Sequence, residues 1–128
     1  GISQLKRAKV SLLYRRRIAQ KYDQAFKSIK GIIIPHVADG YYHAYHLYVI
    51  LVEDRRGMYD FLRKNNIFTQ VHYIPLHWMP YYRNINNADG LLPTSEAYYQ
   101  HCLSLPMFPT LTNDEQDFVI QKILEFLR

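Results

Sequence analysis

The sequence predicts an α+β domain in which a small antiparallel or mixed sheet is packed against helices. Its 128 residues suit one domain and leave no room for two of ordinary size. Apolar residues make up 48% and charged residues 21%, so a substantial core can form and a disordered chain is excluded. The periodic segments follow the order helix, strand, strand, helix, strand, loop, helix, strand, helix, which indicates short strands covered by helices.

The first thirty residues predict a long amphipathic helix with one buried side. Its apolar stripe recurs every seven residues, at Leu5, Leu12, Ala19 and Phe26. The helix is predicted over residues 2–29, and Gly31 stands where a helix commonly ends. Because no capping side chain precedes the helix, we expect the chain to be a piece of a longer protein, cut within a helix.

The middle of the chain predicts most of the sheet. A short strand over 32–34 ends at Pro35, and the strongest strand signal follows over 43–53. Apolar residues occupy both faces of that second strand, so we expect it to be central and covered on both sides. A helix capped by Asp54 and a third strand over 67–74 complete this region.

The last third predicts a long loop, a short helix, a strand and a final helix. The loop spans 75–93, contains three prolines and the Asp89-Gly90 turn, and has a length that is often functional in compact domains. The strand is predicted over 103–105. Thr112 and Glu115 have the spacing of a capping box at the start of the final helix.

Positive charge is concentrated at the amino end. The net charge is +5, and the first thirty residues hold nine of the sixteen Lys and Arg against one acid, Asp23. Such a block can bind nucleic acid or another anion, and it can equally form a solvated helix face or contact an acidic protein surface. A basic, aromatic-rich module that binds nucleic acid is therefore one alternative function.

The sequence excludes a membrane-spanning helix, an internal disulfide and two common kinds of catalytic or binding motif. No apolar run approaches the ~20 residues that a membrane-spanning helix needs, so no membrane partner is expected. The single cysteine, Cys102, cannot form an internal disulfide; it fits a reducing cytoplasm and is predicted to be a core residue. Ser104 lacks the glycine-flanked elbow of a catalytic serine, and no glycine-rich phosphate loop is present.

The spacing of the six histidines argues against a metal site. His43 and His46 are three residues apart on a predicted strand, so they point to opposite faces and cannot share an ion. His72 and His77 flank a proline turn, with no third ligand near them in the sequence. We therefore expect no bound metal.

The segment 70–77 is the most site-like part of the chain, because its polar side chains stand where a strand breaks into a long loop. His72 and Tyr73 can donate hydrogen bonds to phosphate, carboxylate or sugar hydroxyl groups. The alternative is a buried histidine satisfied by the main chain, beside a packed tyrosine. The residues by themselves leave both interpretations open.

Four segments of the chain, taken in order, carry a resemblance to a known family. They are 1–7 with the Arg-rich stretch up to Tyr22-Asp23, then His46-Leu47-Tyr48, then 71–77 with 80–83, and finally 103–109 with 111–112 and 115–116. Together they resemble the DegT-type sugar aminotransferases, which are fold-type I enzymes that use pyridoxal phosphate (PLP) on nucleotide-linked keto sugars. Residues 70–83 are most similar to the UDP-4-amino-4,6-dideoxy-N-acetyl-altrosamine transaminase branch of pseudaminic acid biosynthesis.

The resemblance implies an enzyme of which this chain is one part. Residues 1–30 would be the connector helix from a missing N-terminal PLP domain, and 31–128 would be the C-terminal small domain of a fold-type I PLP-dependent transferase. In such enzymes the Schiff-base lysine and most phosphate contacts lie in the larger domain, so no catalytic or cofactor-binding residue is expected here. The complete enzyme would be a homodimer in the bacterial cytoplasm.

The reaction implied by the resemblance moves an amino group from glutamate, through pyridoxamine phosphate, to the C4 ketone of a UDP-4-keto-6-deoxy-N-acetylhexosamine. His72 and Tyr73 would line the nucleotide-sugar pocket, with His77 at its edge, in the site of the neighbouring subunit. His46 is a further candidate for substrate binding. Some relatives replace the lysine by histidine and act as PLP-dependent sugar dehydratases, which is the alternative within the same fold.

A first prediction concerns the isolated chain. Because the resemblance assigns the aldimine lysine to the missing domain, the 128 residues alone should neither transaminate nor show the visible absorbance of bound PLP. An absorbance spectrum after incubation with PLP and a transamination assay check this. A yellow and active preparation would contradict it.

Overall fold

A computed structural model describes residues 1–86, 90 and 92–128 and shows the α+β architecture that the sequence predicts. The elements, in chain order, are α1 (Ile2–Phe26), β1 (Ile32–Ile33), β2 (Tyr48–Val52), α2 (Arg55–Lys64), a 3₁₀ turn (Leu76–Trp78), α3 (Pro80–Asn86), α4 (Pro93–His101), β3 (Cys102–Leu105) and α5 (Asn113–Phe126). Among the described residues, no helix combines the length and apolarity needed to cross a membrane.

The three strands form one antiparallel sheet in the order β1-β2-β3, so the prediction that β2 is central is confirmed. The predicted strand over 67–74 is wrong. Only Gln70 pairs there, as an isolated bridge to Ser104, in which each residue donates its N–H to the other's carbonyl oxygen at 3.1 and 2.8 Å. The chain then leads to Pro75, which lacks the N–H that a longer ladder would need.

β2 begins at Tyr48 and not at residue 43 as predicted. Tyr45 has a φ of 48°, which interrupts the extended conformation. The carbonyl oxygens of Tyr45 and His46, just before β2, are also bound outside the sheet. Both accept hydrogen bonds from the guanidinium of Arg15. Side chains of α1 therefore satisfy groups that a strand would have used for pairing.

The core lies between the inner face of β2 and three helices. Tyr48, Ile50 and Val52 are buried there, because alternate residues of a strand point to the same side. They pack against α1, α2 and α5 in a single apolar cluster. Val49 and Leu51, on the outer face, are only half-buried. The expectation that β2 is covered on both sides is therefore met only in part, since α4 covers only part of the outer face.

Only the carboxyl-terminal half of α1 belongs to this core. Its buried residues are Ile18, Ala19, Tyr22 and Phe26. The predicted stripe fails at the amino end, where Leu5 is 73% exposed, because no described element packs against that part of the helix. The helix ends at Phe26, three residues before the predicted position, and Gly31 follows in a left-handed turn with φ of 90°.

The helices that follow are set largely by local signals. The Asp54 side chain accepts a hydrogen bond from the Gly57 N–H, as its predicted role as a cap requires. The capping box of α5 is also confirmed, with the Thr112 hydroxyl accepting from the Glu115 N–H at 3.2 Å and the Glu115 carboxylate accepting from the Thr112 N–H at 2.8 Å.

The predicted irregular loop over 75–93 instead contains the 3₁₀ turn and α3. Pro75 and Pro80 stand at the starts of these two turns, where a missing N–H costs nothing. The Asp89-Gly90 turn includes a residue that lies outside the described ones. The short helix and the strand predicted after this loop correspond to α4 and β3.

The difference between the buried carboxyl-terminal half of α1 and its exposed amino-terminal half leads to a stability prediction. Ile18→Ala should lower the free energy of unfolding by about 2–5 kcal/mol, because Ile18 is 5% exposed and its removal leaves a cavity. Leu13→Ala, on the same helix but 66% exposed, should change it by about 0.5 kcal/mol or less. Urea denaturation of the 128-residue chain measures both values, and equal losses would contradict the structure.

Candidate functional site

The outer face of the sheet carries a groove of about 500 Å³. Its apolar lining comes mainly from β1 and β2, and three histidines and Tyr98 of α4 complete it. The residues are Ile33, Ile34, Pro35, His36, His43, His46, Leu47, Val49, Leu51 and Tyr98. A concave apolar surface with a few polar groups is the usual form of a small-molecule site.

His72 is bound to the same face of the sheet. Ser104 of β3 pairs with Val49 of β2, so their side chains share the outer face. His72 Nδ1 lies 2.8 Å from Ser104 Oγ, and the histidine is half-buried. The partner is a side-chain hydroxyl and not the main chain, so one ring nitrogen is held while the other is available to a ligand. Sequence reasoning had set Ser104 aside because it looked only for a nucleophile.

Tyr73 projects from the same segment and is 74% exposed. The peptide bond between His72 and Tyr73 is cis, and the two rings meet edge to face with their centroids 4.8 Å apart. The alternative of a packed tyrosine beside a histidine bonded to the main chain is therefore wrong. The structure brings the two candidates together and leaves the tyrosine hydroxyl accessible.

His77 has a different environment. It is 9% exposed, and its Nε2 lies 2.9 Å from Oε1 of Glu96 on α4. The same carboxylate oxygen accepts a hydrogen bond from the Gly90 N–H at 3.0 Å. His77 thus joins the 3₁₀ turn to α4 beside a second, shallower groove lined by Ile74, Trp78, Arg83, Gly90 and Glu96. It is not among the residues that line the sheet groove.

His46 and His43 both line the sheet groove, although sequence spacing placed them on opposite faces of a strand. That argument was wrong because neither residue lies in β2. The Tyr45 N–H donates to His43 Nδ1 at 2.9 Å, so the neutral ring carries its proton on Nε2. Within the described residues, no three His, Cys, Asp or Glu side chains are arranged to hold a metal ion.

Cys102 lies on the outer face as the partner of Leu51 and is 1% exposed. Burial raises the pKa of its thiol, and the Sγ lies 3.6 Å from the Tyr99 carbonyl oxygen. A buried thiol with a raised pKa is a poor nucleophile. The prediction of a core cysteine is confirmed.

The candidate residues fall in three places. His72 is held over the outer face at Ser104 with the Tyr73 ring against it, His46 lines the sheet groove, and His77 is a buried link to α4. Sequence reasoning missed His36 and Tyr98 in the groove and Ser104 beneath His72. Only Ser104 had a sequence signal, since strand alternation places it on the face of Cys102.

Comparison with known proteins identifies the family. A model of the DegT/DnrJ/EryC1/StrS aminotransferase family matches residues 1–124. The chain belongs to this family. The spore coat polysaccharide biosynthesis protein SpsC from Bacillus subtilis is 36% identical over 100% of the chain, which corresponds to 35% of that relative.

Solved structures agree with the family assignment. Helicobacter pylori PseC, described as an aminotransferase involved in the biosynthesis of pseudoaminic acid, is 27% identical over 99% of the chain with a TM-score of 0.91. The PLP-form of Spr1654 from Streptococcus pneumoniae is also 27% identical over 99%, with a TM-score of 0.92. The chain covers 35% and 34% of these two chains, so it spans about a third of a family member.

Structures of Spr1654 in PLP and PMP forms imply that the DegT family uses PLP. Covalent attachment of PLP needs a lysine in the site. Lys21 is paired with Asp117 and Lys122 with Glu125, each at 2.8 Å, and the other five lysines are exposed on helices or near their ends. None of the seven lines the sheet groove, so the residues of this chain do not fit the covalent anchor of the cofactor.

The buried His77–Glu96 contact leads to a prediction. Glu96→Ala should lower the free energy of unfolding by about 1.5–3 kcal/mol, because it leaves the His77 ring and the Gly90 N–H without their acceptor. Glu96→Gln keeps an oxygen acceptor and should lose about half as much or less. Urea denaturation compares both variants with the wild type, and a Glu96→Ala variant as stable as the wild type would show that the contact does not stabilise the fold.

Proposed function

We propose that the chain is the C-terminal, substrate-facing part of a PLP-dependent aminotransferase acting on a nucleotide sugar. The observation that carries the proposal is that His72, through Ser104, and His46, in the groove, both lie on the side of the sheet that the helices leave partly open, with Tyr73 exposed beside His72. The chain accounts for about a third of its relatives, so the covalent chemistry of PLP belongs to the remainder of the protein. This third supplies groups that bind and orient the substrate.

The proposed substrate is a UDP-4-keto-6-deoxy-N-acetylhexosamine, aminated at C4 with glutamate as the amino donor. Two observations support this choice. Residues 70–83 resemble the branch that forms UDP-4-amino-4,6-dideoxy-N-acetyl-altrosamine. PseC, which matches nearly the whole chain in structure, is described as an aminotransferase of pseudoaminic acid biosynthesis.

In this proposal His72 is the principal substrate ligand of the chain. The Ser104 hydroxyl, when it donates to Nδ1, leaves the proton of the neutral ring on Nε2, which can then donate to a phosphate or sugar oxygen. The exposed hydroxyl of Tyr73 adds a second donor. His46 contacts the substrate along the groove, and His77 keeps the adjoining turn in place through Glu96.

The proposed complete enzyme has a large N-terminal PLP domain, with residues 1–30 as the connector and 31–128 as the small domain. It acts as a homodimer in the bacterial cytoplasm, and the small domain contributes to the neighbouring subunit's site. The exposed apolar residues in the first half of α1, such as Leu5 and Leu13, support a covering surface outside this chain.

The basic residues of α1 favour this proposal over a nucleic-acid-binding module. Arg15 and Arg16 donate to main-chain carbonyl oxygens of this chain, and Lys21 is paired with Asp117. These three cations are occupied within the domain, whereas Lys6, Arg7, Lys9 and Arg17 of the same helix are exposed. The occupied residues interrupt the row of phosphate contacts that α1 would otherwise offer.

The proposal predicts that the full-length protein aminates the C4 ketone in the presence of PLP and glutamate. Because a hydrogen bond to a charged phosphate is lost, His72→Ala should lower kcat/KM for the nucleotide sugar by about tenfold or more. Thermal unfolding should change little, since His72 is only half-buried. Product formation is measured by mass spectrometry and NMR of the amino sugar.

Matched tyrosine variants provide the control. Tyr73→Phe and Tyr41→Phe remove the same hydroxyl from residues that are 74% and 77% exposed, but only Tyr73 lies next to His72. Tyr73→Phe should raise KM, and Tyr41→Phe should not.

A dehydrated sugar as the only product would favour the dehydratase of the same fold. A parallel loss of folding and activity in His72→Ala would indicate a core histidine.

A further inference from the structure

At one end of the sheet, a single guanidinium nitrogen of Arg15 binds the carbonyl oxygens of the residues that lie beyond the last strand pair. Arg15 Nη1 lies within hydrogen-bond distance of the carbonyl oxygens of Tyr45 and His46, each at 3.0 Å, and of Met107 at 2.9 Å, so its two N–H groups are shared among three acceptors. The last registered pair at this end is Tyr48 with Leu105. The three carbonyls therefore belong to the two chain segments that leave the ladder side by side, where main-chain pairing has stopped.

Arg16, the next residue of α1, binds the same segment two residues before Tyr45. Arg16 Nε donates to the His43 carbonyl oxygen at 3.2 Å, and its guanidinium lies 5.1 Å from the centre of the Tyr42 ring. Both arginines are half-buried, and both contacts join α1 to residues about thirty positions later. Two consecutive side chains of one helix therefore anchor residues 42–46.

Residues 43–46 carry two of the three histidines that line the groove, and they are not held by strand pairing. His43 and His46 line the groove, and Tyr45 between them has a left-handed φ of 48°. The Tyr45 N–H is taken by His43 Nδ1, which fixes the orientation of that ring. Within the part of the chain that the structure describes, the carbonyl oxygens of this segment accept side-chain hydrogen bonds from α1, and the conformation that presents both imidazoles depends on them.

We propose that Arg15 is a positioning residue for substrate binding, which acts through the main chain of residues 45 and 46 on the histidines of the groove. The inference rests on the proposed function, since it takes His46 as a substrate contact. Arg15 itself does not touch the substrate. Its delocalised, planar guanidinium reaches three acceptors from two chain segments, and a neutral, shorter side chain leaves those acceptors unpaired.

The test uses the full-length enzyme with Arg15→Gln, Arg15→Lys and the control Arg17→Gln. Arg17 carries the same charge on the same helix, is exposed, and has no side-chain hydrogen bond within the described residues. Arg15→Gln should raise KM for the nucleotide sugar about tenfold, while the rate of the half-reaction with glutamate stays within about twofold. Arg15→Lys should recover part of the loss, and Arg17→Gln should match the wild type.

Hydrogen exchange separates positioning from loss of the fold. In Arg15→Gln the amide of Tyr45, whose N–H is held by His43 Nδ1, should exchange at least about tenfold faster, with β2 and β3 unchanged, and Arg17→Gln should show no such change. Equal kinetics for Arg15→Gln and Arg17→Gln would overturn the proposal. So would equal losses in both half-reactions together with a lower melting temperature. Absence of sugar amination in the wild type would instead contradict the proposed function, and amide exchange would still test the anchoring of the segment.

Discussion

The packing around Tyr48 holds α1, the central strand and the end of the sheet in one arrangement. Its side chain is fully buried, and its ring lies 4.9 Å from that of Tyr22. Its hydroxyl donates to Asp23 Oδ1 at 2.6 Å, and burial together with that carboxylate raises the pKa of Tyr48. The Tyr22 hydroxyl donates to the Pro106 carbonyl oxygen at 3.0 Å, so α1 is bound to both β2 and the segment after β3.

The geometry of the site follows from this packing. Because α1 is fixed at Tyr22 and Asp23, its preceding two turns carry Arg15 and Arg16 to the point where the strands separate. There the guanidinium groups replace strand pairing and let the chain bend before β2. A core contact on the inner face therefore determines where the histidines of the outer face are presented.

The core and the groove lie on opposite faces of the same strand. Residues 48, 50 and 52 fill the core, and Val49 and Leu51 form the base of the groove. Ser104 and Cys102 share that outer face through their pairing with these two residues. A substitution at Val49 or Leu51 can thus alter the groove without opening the core on the inner face, which is the arrangement expected of a domain that positions a ligand.

Local signals in the sequence predicted the elements whose causes are local. The cap of α2 and the capping box of α5 were correct because each depends on residues a few positions apart. The start of β2 was wrong because its cause lies thirty residues away, in the arginines of α1. The strand over 67–74 was wrong because a strand exists only as far as its neighbour pairs with it.

The sequence by itself determined the α+β class, the order of the main elements, the core cysteine and, through four short segments, the resemblance to a family that the comparison then established. Only the tertiary structure decided which polar groups meet. It placed His72 on Ser104, His77 on Glu96, and His43 and His46 in one groove. The physical reason is range: caps and periodicity act within one or two turns of the chain, whereas these contacts depend on strand register and on helix packing between distant segments.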